Sequence, residues 1–117
     1  MFRTVLSTCA LIASTGFAVA EPSRVQAQDI FEQTIVGRDL TALGVRLVVE
    51  PDGTISGKAF GRTVTGSWNW EQGYFCRDLN FGDEPLEPNC QLVTIDGKRV
   101  QFTADKGTGQ SANLRLR

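Results

Sequence analysis

The side chains with the greatest chemical potential lie in one short run, which reads Gly-Ser-Trp-Asn-Trp-Glu-Gln-Gly-Tyr-Phe-Cys-Arg from position 66 to position 77. Trp68 and Trp70 are two residues apart, so on a strand they share one face. There they either pack in the core or line a barrel mouth and stack on a ligand ring or sugar. Tyr74 adds a hydroxyl, and Arg77 adds a guanidinium that either recognises an anion or pairs with a nearby carboxylate. We predict these four as candidate binding residues.

Two cysteines, Cys76 and Cys90, lie beyond the N-terminal segment, and an even pair in an oxidising compartment favours a disulfide. The bond would close a loop of about 15 residues and stabilise the domain by about 3 kcal/mol in the chain-entropy model. A zinc site is the alternative, but no histidine or further cysteine completes tetrahedral coordination, so we predict no metal. The bridge would hold both ends of the polar loop 81–88, which makes Leu86 and Glu87 candidate contacts for a partner.

The composition argues against most catalytic mechanisms. The sequence contains no histidine, which excludes Ser-His-Asp and Cys-His nucleophiles. Carboxylates cluster around the predicted disulfide loop, and we expect solvated charge there rather than a general acid–base pair or a calcium site. They are Asp78, Asp83, Glu84 and Glu87. The formal net charge is −1, without a basic excess to neutralise phosphates, so we predict no nucleic-acid partner.

The first twenty residues have the order of a secretion signal. Arg3 precedes the uncharged, largely apolar stretch Val5–Val19, and Ala18-Val19-Ala20 is a small-x-small cleavage pattern. We therefore predict a signal peptide over 1–20 and a periplasmic or secreted location. Removing 20 of 117 residues leaves 97, which suffice for a single disulfide-containing β domain over 21–117. A second long apolar segment is absent from the sequence, so we predict no membrane span after cleavage.

Hydrophobic periodicity predicts one helix and about seven strands. Ser23 and Gln26 form a capping-box pattern, and apolar residues recur at helical spacing up to Ile35, before Gly37. Beyond that glycine the period changes to two, and turn sequences separate the predicted strands. These strands are 45–50, 54–60, 62–70, 74–80, 90–95, 98–104 and 111–117. We predict a mainly all-β fold, an antiparallel meander that curls into a small barrel or a two-layer sandwich, with the helix capping one end.

The 66–77 run, followed by Asn89-Cys90-Gln91 and preceded by Gly-Arg-Asp-Leu-Thr at 37–41, resembles a group of small exported bacterial proteins. The resemblance covers nearly all of the mature chain and implies a shared fold, with no activity to carry over. Some members are labelled dihydrodipicolinate reductase, and that label implies a nicotinamide cofactor.

The residues of this chain do not supply the site that such a cofactor needs. The nearest match to a dinucleotide-binding fingerprint is Gly-Thr-Gly-Gln-Ser-Ala at 107–112. That fingerprint works because a helix follows it and meets the pyrophosphate with its N-terminus. Only five residues follow Ala112, and they alternate like a strand, so we predict a hairpin turn and no cofactor.

These observations favour a non-catalytic exported domain that binds a small ligand or an envelope protein. Small barrels with a Gly-x-Trp hairpin and one disulfide resemble bacterial inhibitors of proteases or lysozyme, which makes an inhibitor-like role one form of this hypothesis. The alternatives are a nicotinamide-dependent reductase, as the label implies, and a structural envelope protein.

Overall fold

The computed structural model describes Ala10 and residues 22–117, so the predicted signal peptide and its cleavage site lie outside the described residues. The elements, in chain order, are β1 (Ser23–Arg24), α1 (Gln28–Thr34), β2 (Asp39–Ala42), β3 (Val45–Val49), β4 (Thr54–Ala59), β5 (Arg62–Glu71), β6 (Tyr74–Phe81), β7 (Glu84–Pro85), β8 (Asn89–Asp96), β9 (Arg99–Thr103), α2 (Ala104–Gly107) and β10 (Ser111–Leu116). Strands account for 58% and helix for 11%, which confirms the all-β prediction. None of the helices described is long and apolar enough to cross a membrane.

The antiparallel sheet closes into a barrel. Its ring runs β8-β9-β10-β2-β3-β4-β5-β6, and β6 pairs with β8 to complete it. That closing seam has only three residue pairs, and Cys76 lies directly opposite Cys90 in the middle one. Closure removes the two free edges that an open sheet would expose.

Two short strands extend the seam at either side of its three pairs. On one side of the three pairs, β1 pairs with β8 through Ser23 and Ile95. On the other side, β7 pairs with β6 through Pro85 and Asn80. The seven predicted strands correspond to β3–β6 and β8–β10. The sequence analysis missed β2 and the two short strands, because four residues or fewer carry too little periodicity to be recognised.

The predicted start of the helix at Ser23 is wrong. Ser23 lies in β1, and the helix begins at Gln28 after Ala27, which makes no side-chain capping bond. The physical reason is a tertiary contact. Past the seam, β8 has backbone groups that β6 does not pair, and the chain before the helix pairs with them. Val25 N–H, for example, donates to the Val93 carbonyl at 2.9 Å. Gly37 does lie just past the helix with φ of 80°, as predicted.

The helix covers one end of the barrel. Phe31 and Ile35 are fully buried beneath it. Before α1, the Arg24 side chain donates a hydrogen bond to the Gly73 carbonyl. After α1, Gly37 N–H donates to the Val49 carbonyl. We call this end, with the turns at 50–53, 72–73 and 97–98, the capped end. The opposite end carries the turns at 43–44 and 60–61 and the loop 82–88, and we call it the open end.

Candidate functional site

The register of β5 against β6 directs Arg77 into the barrel. Directly paired residues in antiparallel strands point to the same side of the sheet, and Arg77 pairs with Trp68 as Phe75 pairs with Trp70. Phe75 is buried in the core, so Arg77, two residues further along the same strand, faces the interior as well. Cys76, between them, faces outward.

An apolar cavity of about 160 Å³ occupies the barrel interior. Eight of its lining residues are apolar: Leu40, Leu47, Ile55, Phe75, Leu79, Phe102, Ala112 and Leu114. Arg77 and Gln91 are its polar lining residues. None of the α1 residues lines it, and Ala112, near the open end of β10, is solvent-exposed. The cavity is therefore reached from the open end.

Arg77 is the one charged group on this cavity, and it is half-buried. Its Nη1 donates a hydrogen bond to the Glu87 carbonyl at 2.8 Å. Across residues 22–117 the only ion pair joins Arg46 to Asp39, so Arg77 has no carboxylate within ion-pairing distance. Burial lowers the pKa of Arg77, an effect that the nearby Asp78 carboxylate opposes. The guanidinium remains charged at neutral pH, and the one hydrogen bond that it makes within residues 22–117 goes to a neutral carbonyl.

The two tryptophans face inward and pack against the core at the capped end. The Phe31 ring lies 5.4 Å from the Trp68 ring and 4.9 Å from the Trp70 ring, centroid to centroid. Trp68 Nε1 also donates to the Glu50 carbonyl at 2.8 Å, which ties the indole to the turn after β3. Neither indole lines the cavity, so the structure favours the core alternative for both, and a ligand-contact role for them stays a prediction.

Tyr74 lies on the outer surface of the barrel, between two cations. The Arg24 guanidinium is 4.9 Å from the centre of its ring, and the Lys106 ammonium is 5.4 Å away. These are cation–π distances, and Lys106 belongs to α2, which packs against β8. Tyr74 is thus separated from the cavity, and its predicted binding role is untested.

The disulfide joins Cys76 to Cys90 across the seam, with the two Cα atoms 3.9 Å apart. The pairing predicted from the sequence is therefore present. The Glu71 carboxylate lies close to both sulfurs, which gives the cluster the composition of a partial metal site. Because the sulfurs are bonded to each other, neither is a free thiolate ligand.

Leu86 and Glu87 lie in the loop between β7 and β8, at the open end. Leu86 N–H donates to the Leu79 carbonyl at 2.8 Å, and the Glu87 carbonyl receives the bond from Arg77. The Leu86 side chain is 42% exposed. The backbone of this loop is thus fixed to the barrel wall while its apolar side chain remains accessible.

Two further apolar side chains at the open end escaped the sequence analysis. Leu43 is 97% exposed and Phe60 is 72% exposed, and each precedes the glycine of a two-residue hairpin turn. Phe60 has φ of 52°, a conformation that costs a bulky side chain free energy. The available signal was a large hydrophobic residue at a turn position where polar residues are usual. Gln91 was also missed, because its inward direction depends on the β6–β8 register.

The Gly-Thr-Gly-Gln-Ser-Ala segment lies where the sequence analysis placed it, in the connection between two hairpin strands. Gly107 ends α2, in which Asp105 and Lys106 have left-handed backbone angles, and Ser111 begins β10. The residues after Ala112 continue as a strand, so this segment lacks the helix that a dinucleotide fingerprint requires.

Comparisons with protein-family models, with curated proteins and with solved structures find no match to this chain. The resemblance to small exported bacterial proteins stays a prediction.

Proposed function

We propose that this protein is a non-catalytic exported domain that binds a small, largely apolar molecule in the open half of its barrel. The observation that carries the proposal is the cavity itself: an apolar interior space with one half-buried guanidinium on its wall. Small-molecule sites have this composition, in which apolar side chains supply most of the contact and a few polar groups fix the orientation.

The chemistry of the lining supports binding rather than catalysis. Arg77 keeps its proton at physiological pH, and the Gln91 amide neither gains nor loses one, so neither group serves as a general acid, a general base or a nucleophile. The remaining lining residues are apolar.

The disulfide supports an exported location for this binding domain. A bond between Cys76 and Cys90 persists in oxidising compartments and is rare in the cytosol. The signal-like pattern over 1–20 points in the same direction.

The test is to fill the cavity. Ala112 lines the cavity, so Ala112→Phe places a ring in that space, whereas the control Asn113→Phe adds the same ring to the outer face of the same strand. Toluene titrated into the natively exported protein and followed by amide NMR shifts should cause saturable changes around the cavity. The changes should disappear in Ala112→Phe and persist in Asn113→Phe. Wild-type protein without saturable shifts, or an unaffected Ala112→Phe variant, would remove the proposal.

Exposure of Leu86 favours a second candidate, the inhibitor-like binding of a protein partner through loop 82–88. A fixed backbone that presents an accessible apolar side chain suits insertion into an enzyme cleft. The test is inhibition of a panel of secreted proteases and lysozymes. Replacing Leu86 and Glu87 by alanine should abolish any inhibition while the far-UV circular dichroism is unchanged, and inhibition that persists in this variant would exclude the loop.

A further inference from the structure

The size of the cavity limits the ligand to about one ring. A cavity of about 150 Å³ lined by Leu, Ile and Phe is large enough to hold benzene and stays free of water when empty. The cavity in this barrel is about 160 Å³ and has the same kinds of lining residue, including Leu40, Ile55 and Phe102. A single six-membered ring therefore fills it, and most of a long acyl chain would extend through its opening into solvent.

The arginine on the cavity wall specifies the charge of the ligand. Desolvating a cation is unfavourable, and the Asp78 carboxylate, which opposes this effect at Arg77, lies outside ion-pairing distance of the guanidinium. Its bond to the Glu87 carbonyl uses one of five N–H donors and holds the guanidinium in place. The donors that are left match the two oxygens of a carboxylate, and the Gln91 amide offers another donor on the same cavity.

We infer that the cavity binds a compact monocarboxylate carrying one ring, with the ring among the apolar side chains and the carboxylate on Arg77. This inference rests on the proposed small-molecule function and adds the ligand class to it. The ordered position of the guanidinium lowers the entropic cost of binding, because the side chain is already held at the cavity before the ligand arrives.

The experiment compares three probes that share a ring and differ in charge. Benzoate, benzyl alcohol and toluene are titrated into the natively exported protein and their dissociation constants are measured by NMR shifts. Hydrogen bonds to charged groups lead us to expect benzoate to bind about tenfold to a hundredfold more tightly than benzyl alcohol. Arg77→Gln should remove this preference and leave toluene binding unchanged. The matched control is Arg115→Gln, since Arg115 is exposed and does not line the cavity.

The outcomes separate the two proposals. If toluene binds and benzoate has no advantage, or if the advantage survives Arg77→Gln, the carboxylate inference is wrong and the proposed function stands. If none of the three probes binds, both are wrong. A dodecanoate titration tests the size limit, because tighter binding of the long chain than of benzoate would overturn the one-ring assignment. Circular dichroism checks the folding of each variant. If Arg77→Gln unfolds, Arg77→Lys replaces it, because lysine keeps the charge and loses the two-pronged geometry. The Arg77→Lys variant should retain only part of the benzoate preference.

Discussion

The two ends of this barrel are built from the same strands but filled in opposite ways. At the capped end, Phe31 is fully buried and contacts Trp68, Trp70 and Phe75 ring to ring. At the open end, a cavity remains among the inward side chains, and the turns present apolar residues to solvent.

The difference separates close packing from an unfilled apolar space within one small domain. Aromatic packing at the capped end contributes to the buried apolar surface, since each large ring buries on the order of 200 Å². The open end keeps features that folding alone does not favour. They are a half-buried arginine that makes no ion pair within residues 22–117, a phenylalanine at positive φ and an unfilled interior space.

The largest effect expected from breaking this contrast comes from Phe31. Phe31→Ala should reduce the free energy of unfolding by about 3–5 kcal/mol, because it leaves a cavity beneath the helix in a fully buried ring cluster. Urea unfolding followed by tryptophan fluorescence measures the loss. The control at the open end, Leu43→Ala, should change stability by less than about 0.5 kcal/mol, because this side chain is 97% exposed. Equal losses for the two variants would contradict the contrast.

The stability of the seam between β6 and β8 is expected to depend on its disulfide. Cys76 and Cys90 are 14 residues apart, and the double variant Cys76→Ser/Cys90→Ser should lose about 3 kcal/mol through the greater freedom of its unfolded chain. Denaturant unfolding of the wild type with and without reductant provides the comparison. The reduced wild type should match the double variant, and reductant should leave the variant unchanged. A wild-type midpoint that is insensitive to reductant would contradict the seam's dependence on the bond.

Acid sensitivity should arise at the capped end. The Thr54 hydroxyl and amide donate to Asp52, and these bonds lower the pKa of that carboxyl below its ordinary value of 3.8. A bond to Arg46 likewise lowers the pKa of Asp39. A carboxyl with a depressed folded-state pKa contributes stability above its unfolded pKa, and this contribution is lost as the pH falls through the folded value.

The midpoint of urea unfolding, measured from about pH 5 to about pH 2, should therefore fall as the solution is acidified. Asp52→Asn should make that fall shallower, since the amide does not titrate. Thr54→Val should act in the same direction, because it removes the hydroxyl that bonds to Asp52, while Thr54→Ser keeps that hydroxyl and the wild-type profile. An unaltered profile in Asp52→Asn would show that this turn is not a source of acid sensitivity.

The smallest expected effect has the opposite sign and comes from the open end. Phe60→Asn should stabilise the domain by about 0.5 kcal/mol, because asparagine adopts positive φ at the first position of a hairpin turn more readily than phenylalanine. Thermal unfolding measures this gain. Leu43→Asn is the control, since Leu43 is not among the residues at positive φ, and it should show no gain. A loss of stability in Phe60→Asn would mean that the exposed ring contributes to folding.

Much of the fold could be predicted because its signals are local. Alternating apolar residues mark the long strands, and paired turn residues separate them, as Gly61 and Gly73 do. The disulfide could be predicted from the number of cysteines and from the oxidising compartment alone. The start of the helix could not be predicted, because the residues around Ser23 are as compatible with a helix cap as with a strand. Only the unpaired edge of β8 decides that Ser23 joins a strand.

Only one of the residues that line the cavity was named from the sequence. Arg77 was given there as either an anion-recognition group or the partner of a nearby carboxylate, and the structure places it on the cavity wall. The apolar residues around it come from strands spread over the chain from Leu40 to Leu114, so no local window contains them together.

The sequence by itself determined that this chain forms an antiparallel β unit with a cysteine pair, because side-chain alternation, turn residues and composition act over a few neighbouring positions. The closure of the barrel, the register of its strands and the filling of its two ends were decided only by the tertiary structure. The three-pair seam between β6 and β8 sets which side chains point inward, and α1 fills one end of the barrel and not the other. The Arg77 charge lies beside an apolar space because long-range strand pairing places it there, and that pairing is a property of the whole barrel.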